Sequence, residues 1–283
     1  MLGRVFKCAA EEHRRVEYLV EQHGYDGIVS DQRFGCRSAR VPSVYLTHQL
    51  RLKMPPGFGP LEPIISYGLR WAASQYTEIW IPDYPGEDNL TGELSHRAPL
   101  PKRRRYIGPL SRFGSMKKNG RNPPDLLVVL SGPEPQRTIF EKTIRKQLRN
   151  FPGDSVVLLG RPDTNFVPES ESNVRIIPHL PTGELGKLLQ SSKSVVCRGG
   201  YTTIMELVSS GRKAVLVPTP GQTEQEYLCR RLAAQQRFVC RSQKSFNLSE
   251  ALSALSRIPT PRSPIMATDL LSPAVDAIFG TSE

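Results

Sequence analysis

Residues 195–228, VVCRGGYTTIMELVSSGRKAVLVPTPGQTEQEYL, constrain the fold more than any other stretch of this chain. Val195-Val196-Cys197 is a short apolar run of the kind that forms a buried parallel strand. Gly199-Gly200 follows directly, and glycine lets the backbone turn tightly and approach a ligand with no Cβ in the way. Thr202 or Thr203 is placed to cap the helix that begins there. The free N–H groups of such a helix start, together with the helix dipole, form an anion site, most often used for phosphate. Ala214–Val217 is the next expected strand, closed by Pro218 and Pro220; Gly221 then leads into a helix with Thr223 as its expected cap. Two strand ends, each releasing a polar loop into a helix, belong side by side on one edge of a sheet. In open α/β sheets the carboxyl edge is where ligands bind.

The rest of the chain continues the alternation. Leu126–Leu130, Ser155–Leu159, Val174–Ile177 and Phe238–Cys240 read as strands, with helices at Gln136–Leu148, Glu184–Gln190 and Asn247–Ser256. Upstream, residues 5–22 and Leu61–Gln75 read as helices, and Tyr25–Ser30, Val41–Thr47, Thr77–Ile81 and Arg105–Gly108 as strands. Strand and helix alternating at this spacing mean βαβ units and parallel sheets. Two domains are expected, 1–120 and 121–283, the second closing in a Pro- and Ser-rich tail with a short helix at Ala274–Phe279. The first begins inside a helix rather than on a strand with a glycine-rich turn, so it reads as a doubly wound domain incomplete at its N-terminus.

Charge narrows the partners. The 283 residues carry a formal charge of +11, which favours anionic ligands and surfaces. Nine Lys or Arg and no acid fall in residues 97–124: Arg97, Lys102, Arg103, Arg104, Arg105, Arg112, Lys117, Lys118 and Arg121. A solvated linker and a docking surface for anionic lipid or a phosphorylated acceptor both fit this run. Nucleic acid is not expected, because the run lacks the interleaved aromatics of a stacking surface. No stretch approaches the ~20 apolar residues of a membrane span. The N-terminus lacks the apolar core of a signal peptide. Five cysteines without a C-x-x-C fit a reducing cytoplasm, and the five histidines show no metal-ligand spacing, so no metal site is expected.

CRGGYTTIMELVSSGRKAVLVPTPGQTEQEYL resembles the C-terminal, donor-binding half of family 28 glycosyltransferases, which include the N-acetylglucosaminyltransferase of peptidoglycan synthesis. The shared pattern is a strand ending in C-R-x-G, a helix carrying a Glu, a strand ending in V-P and a Gln-rich loop. The resemblance covers Asp125 to Arg257 and, more loosely, Tyr25 to Leu50. It implies an α/β fold of two Rossmann-like domains facing a cleft, the GT-B architecture. It also implies transfer of a hexosyl group, N-acetylhexosamine foremost, from a UDP-sugar to an acceptor hydroxyl by direct displacement. No cofactor or divalent metal is implied beyond the UDP-sugar co-substrate. The acceptor is unnamed. With the basic run, a lipid-linked acceptor at the inner face of the membrane is one expectation. A non-catalytic nucleotide-sugar-binding protein or remnant, and a sugar-nucleotide 2-epimerase, share the architecture and stand as alternatives.

Site residues follow from both readings. Gly199, Gly200 and Thr202 are expected at the diphosphate, with a plain strand-to-helix turn as the alternative. Glu206 has two readings: Thr203-x-x-Glu206 is a capping box, while in the resembling family a Glu on this helix holds the ribose hydroxyls. Gln222 and Gln225 correspond to the family's sugar-reading loop, and Thr223-x-x-Glu226 makes Glu226 structural. Ser131 and Gly132 stand where the family has a glycine-rich phosphate loop, but Pro133 and Pro135 remove N–H donors there. Arg161 follows a strand end and is a candidate to neutralise the diphosphate, with a surface residue as the alternative, and His179, in the loop before a helix, reads as a surface histidine or as a residue bracketing the base. A general base is needed for the acceptor proton; His48 and Asp31, at strand ends of the first domain, are the candidates, with Asp83 a third.

Overall fold

The computed structural model describes residues 2–55, 57–97, 99–113, 122–162, 168–259 and 269–280. Lys117, Lys118 and Arg121 of the basic run lie outside the described residues. The chain divides into two compact units, Met1–Pro109 with Ala267–Glu283, and Leu110–Met266.

The first unit opens with α1 (Leu2–His23), followed by β1 (Ile28–Asp31) and β2 (Ser43–Leu46). Then come α2 (Glu62–Ala73), β3 (Glu78–Ile81), a single-turn α3 (Glu93–His96) and β4 (Arg104–Tyr106). The strands lie in sequence order β1-β2-β3-β4 and every pairing is parallel. Tyr45, Leu50, Ala73, Tyr76, Ile79 and Ile81 form the core beneath the sheet. Glu93–His96 carries too short a pattern to be read as a helix from sequence, since one turn shows no apolar periodicity.

The second unit contains β5 (Leu126–Val129), α4 (Gln136–Leu148), β6 (Ser155–Leu158), β7 (Glu169–Glu171) and β8 (Val174–Ile177). It continues through α5 (Thr182–Ser191), β9 (Ser194–Cys197), α6 (Tyr201–Ser209) and β10 (Val215–Leu216). It closes with α7 (Thr223–Ala234), β11 (Val239–Cys240) and α8 (Leu248–Arg257). The sheet order is β11-β10-β9-β5-β6-β8-β7, parallel except for β7, which pairs antiparallel with β8. The chain therefore runs outward from β5 through β6 and β8, then returns to the other side of β5 and runs outward again. The winding reverses between β5 and β9, which is where open α/β sheets leave a crevice at their carboxyl edge. The central strands are apolar on both faces because helices cover both. Leu126, Leu127, Val128, Val195, Val196, Val215 and Leu216 have no exposed surface.

The units part earlier than the expected boundary at 120. Phe113 is buried, and the N–H of Leu110 points to Sδ of Met205 at 3.4 Å, so residues 110–113 pack onto the second unit. The tail also departs from expectation. Its helix, α9 (Leu271–Phe279), belongs to the first unit, with the Phe279 ring edge-on to Trp80 at 6.0 Å between centroids. The basic run is not one free cationic face. Arg97 pairs with Glu93, Arg105 with Glu78 and Arg112 with Glu206, Arg104 donates to the carbonyl of Pro101, and Lys102 and Arg103 are exposed.

Candidate functional site

Three loops leave the second sheet at its carboxyl edge around the reversal: 130–135 after β5, 198–200 after β9 and 217–222 after β10. Arg198 ties them together. Its guanidinium donates to the carbonyl oxygens of Ser131 at 3.3 Å, Val217 at 3.4 Å and Gln136 at 2.9 Å. It also lies 4.6 Å from the centroid of the Phe140 ring. The side chain is 1% exposed, and burial pushes its pKa down to about 10. Among the described residues no carboxylate pairs with it. A buried cation held only by carbonyl dipoles and a ring face leaves net positive potential under the loops, which favours an anion above them. The sequence displays Arg198 only as the R of C-R-x-G; that one side chain links three loops is a tertiary fact.

The three helix starts beside it differ. Helix α6 begins at Tyr201 with Gly200 as N-cap, no side-chain cap and no acid in its first turn. Neither Thr202 nor Thr203 is the cap, which corrects the sequence expectation. Helix α4 is already satisfied: Glu134 accepts from the N–H and hydroxyl of Thr138 and pairs with Arg137. A carboxylate thus already accepts at the start of α4, and its like charge disfavours the phosphate contact expected of Ser131 and Gly132. Helix α7 carries Glu224 and Glu226 in its first turn, with Gln222 rather than Thr223 as N-cap. Glu226 accepts from the N–H of Gly221 at 3.2 Å, so its structural reading holds with a different partner. The α6 start is the one of the three without a carboxylate, and it favours anions most.

The glycines at this turn have separate jobs. A Cβ on Gly199 would overlap Sγ of Cys229, so Gly199 exists for the packing of α7. A Cβ on Gly200 would meet nothing within 4 Å, so that backbone faces open space. Gly132, at φ +97°, brings its loop against Thr219, whose buried hydroxyl has no partner among the described residues.

Glu206 lies in the body of α6, beyond its first turn, so the capping-box reading falls. Its carboxylate is 5% exposed and accepts from Nε of Arg112 at 2.6 Å. Burial raises the Glu206 pKa above its ordinary value, and Arg112 opposes that rise. Gln225 is largely spent on its loop, accepting from the N–H of Thr219 at 2.9 Å and donating to Gln222, whose side chain is exposed. Arg161 turns away to α4, where its guanidinium reaches Glu141 at 3.3 Å, so it is committed to a carboxylate rather than poised for a diphosphate. His179 is exposed.

In the first unit, Asp31 ends β1 and His48 lies just past the end of β2, the adjacent parallel strand. Asp31 is exposed, and Gln32 Nε2 lies 3.1 Å from His48 Nδ1. Asp83 is fully buried. It accepts from the N–H groups of Tyr84, Leu90 and Thr91, from the Thr91 hydroxyl, and from His96 Nε2 at 3.1 Å. Burial pushes its pKa up, but the bonds from His96, Thr91 and Leu90 outweigh it and hold the carboxyl below its ordinary value. Asp83 therefore organises its loop and is not free to take a substrate proton. Sequence reasoning passed over His96, whose ring stacks on Tyr106 at 4.5 Å between centroids. Among the described residues no group of acids, histidines or cysteines is arranged to hold a metal ion, and no helix is long and apolar enough to cross a membrane.

Residues 137–268 match the glycosyltransferase family 28 C-terminal domain. Proteins named as uncharacterized glycosyltransferases of Methanosarcina acetivorans and Methanosarcina mazei are 29% and 27% identical over 154 residues. The alignment takes in 53% of this chain, and the chain spans only 40% of each relative's length. Among solved structures, the glycotransferase of kitacinnamycin superposes with a TM-score of 0.61 at 16% identity, covering 90% of this chain and 73% of that one. MurG of Acinetobacter baumannii gives 0.58 at 14%, covering 97% and 77%. A protein of Arabidopsis thaliana in complex with UDP-L-rhamnose gives 0.58 at 13%, covering 99% and 75%. The likeness is one of fold: parallel α/β units of the Rossmann type, as in GT-B glycosyltransferases.

Proposed function

We propose that this chain is a glycosyltransferase that moves a hexosyl group, N-acetylhexosamine foremost, from a UDP-sugar to an acceptor hydroxyl. The observation that carries the reading is the carboxylate-free start of α6, set beside a buried Arg198 with no acidic partner among the described residues. A diphosphate is the ligand such a site favours, and departure of a nucleoside diphosphate is the step it would assist. The family match over 137–268 and the nucleotide sugar in one structural relative support the donor class.

In this reading the N–H groups of Gly200, Tyr201 and Thr202 bind the leaving diphosphate. Glu206 accepts from the two ribose hydroxyls, and Gln222 reads the sugar. The acceptor oxygen attacks the anomeric carbon while the bond to the diphosphate breaks, and the acceptor proton passes to His48 or Asp31. Arg161 has no part, because Glu141 holds it. Association with an anionic membrane would rest on Lys102 and Arg103. Unchanged liposome binding after reversing both charges would remove that part of the reading.

Calorimetric titration with UDP, GDP, dTDP and CDP, repeated on Glu206→Ala, tests the donor site. Selective UDP binding, weakened by about 1.5–3 kcal/mol in the variant, is expected for loss of a charged hydrogen-bonding group. Absence of nucleotide binding by a folded sample would overturn the reading.

A further inference from the structure

We propose that Arg112 and Glu206 form a nucleotide-displaced latch, in which the carboxylate that takes the ribose diol holds the 110–113 segment when no nucleotide is bound. The inference rests on the donor-site reading above and concerns how that site is regulated.

The geometry carries it in three ways. Glu206, on α6, is nearly buried, yet Arg112, which donates to it at 2.6 Å, lies 94 residues away in sequence. The carboxylate thus meets the 110–113 segment at the start of the second unit. Next, Arg112 donates to Glu206 through Nε. Its side chain remains 53% exposed, with the guanidinium 5.3 Å from the Phe113 ring centroid. With its arginine half in water, the pair is open on one side to displacement by a ligand. Finally, the segment has its own anchors in buried Phe113 and in the Leu110 N–H to Met205 contact, so release of Arg112 would loosen it without undocking it.

The chemistry of exchange is balanced. A vicinal diol supplies two O–H donors to one carboxylate, replacing the Nε–H that Arg112 gives up to water. No proton moves and no charge is created. Until then Arg112 opposes the rise that burial imposes on the Glu206 pKa. The latch lowers affinity by the strength of the pair.

The test is calorimetric titration of UDP and of pyrophosphate into the unaltered chain, Arg112→Ala and Glu206→Gln. Arg112→Ala is expected to bind UDP about two- to fivefold more tightly at neutral pH, as loss of a weak competing pair allows. Pyrophosphate affinity should not rise, because it has no diol. Amide exchange of Leu110–Phe113 should quicken when UDP saturates the unaltered chain. Weaker binding of both ligands to Arg112→Ala would make Arg112 a phosphate ligand and overturn the latch. UDP binding that Glu206→Gln weakens but Arg112→Ala leaves unchanged would also overturn it, with the donor site intact. No UDP binding by any of the three would remove the donor site itself.

Discussion

Gly199 and Cys229 are packed so closely that a Cβ on the glycine would fall within the sulfur of the cysteine. Gly199 also lies against Gln225, so the β9 turn and α7 are fitted to each other through a residue without a side chain. Its neighbour Gly200 has open space and an ordinary φ of −69°. Two adjacent glycines thus answer to different physics.

Gly199→Ala is expected to cost about 1–3 kcal/mol, the range for overpacking a filled site. Cys229→Ala in the same chain should recover part of it. Gly200→Ala should leave stability within about 0.5 kcal/mol while weakening nucleotide affinity, because it fills space beside the α6 N–H groups. Urea unfolding of the variants, with UDP titration of Gly200→Ala, checks both.

Arg198→Met should lose about 2–4 kcal/mol of stability, since it strands the carbonyls of Ser131, Val217 and Gln136. Arg198→Lys keeps the charge but not the fork, so it should lose stability while retaining more pyrophosphate affinity than Arg198→Met. Chemical denaturation and titration separate the two roles.

Asp83 predicts an acid limb. Its folded pKa is depressed, so its contribution is present above its ordinary range and is lost as pH falls through the lower folded value, below about pH 4. Asp83→Asn should cost about 3–5 kcal/mol at neutral pH, as expected when a buried, hydrogen-bonded charge is removed, and should flatten that limb. Thermal unfolding between pH 2.5 and 7, on both chains, measures it.

Glu206 predicts the opposite slope. Its folded pKa is raised, so the native state holds more protons than the unfolded chain just above the ordinary carboxyl range. Stability from this group therefore falls as pH rises through that window. Removing Arg112 should widen the window upward and make UDP binding weaken as pH is lowered towards it. Unfolding midpoints against pH for the unaltered chain, Arg112→Ala and Glu206→Gln would reveal it, and the slope should vanish in the last.

Much of the second unit was legible because its signals are local. Apolar runs such as Val195–Cys197 and breakers such as Gly199 and Pro218 set most element positions to within a residue or two. Asn247, read as the first residue of a helix, is the N-cap of α8, accepting from the N–H of Glu250 at 3.1 Å. Where two tests were local and ambiguous, at Thr202, Thr203 and Thr223, the backbone chose its N-caps elsewhere, since several polar residues stood close together. The relations that decide the candidate site are not local. Arg112 reaches Glu206 across 94 residues, Arg198 bonds a carbonyl 67 residues away, and Glu134 spoils one loop only because α4 begins where it does. No window of sequence contains such pairs. The basic run misled for the same reason, because its counter-ions Glu78 and Glu206 lie on other elements.

The return of α9 to the first unit orders events during synthesis. A Cβ on Gly27, near the beginning of the chain, would overlap the ring of Phe279, near its end. All of Leu110–Met266 lies between them in sequence. On the ribosome the second unit can therefore emerge and pack before the first receives its closing helix. A deletion that removed Phe279 would be felt first beside Gly27 and Trp80, ahead of the second unit in sequence, and not in the sheet that immediately precedes α9 in the chain.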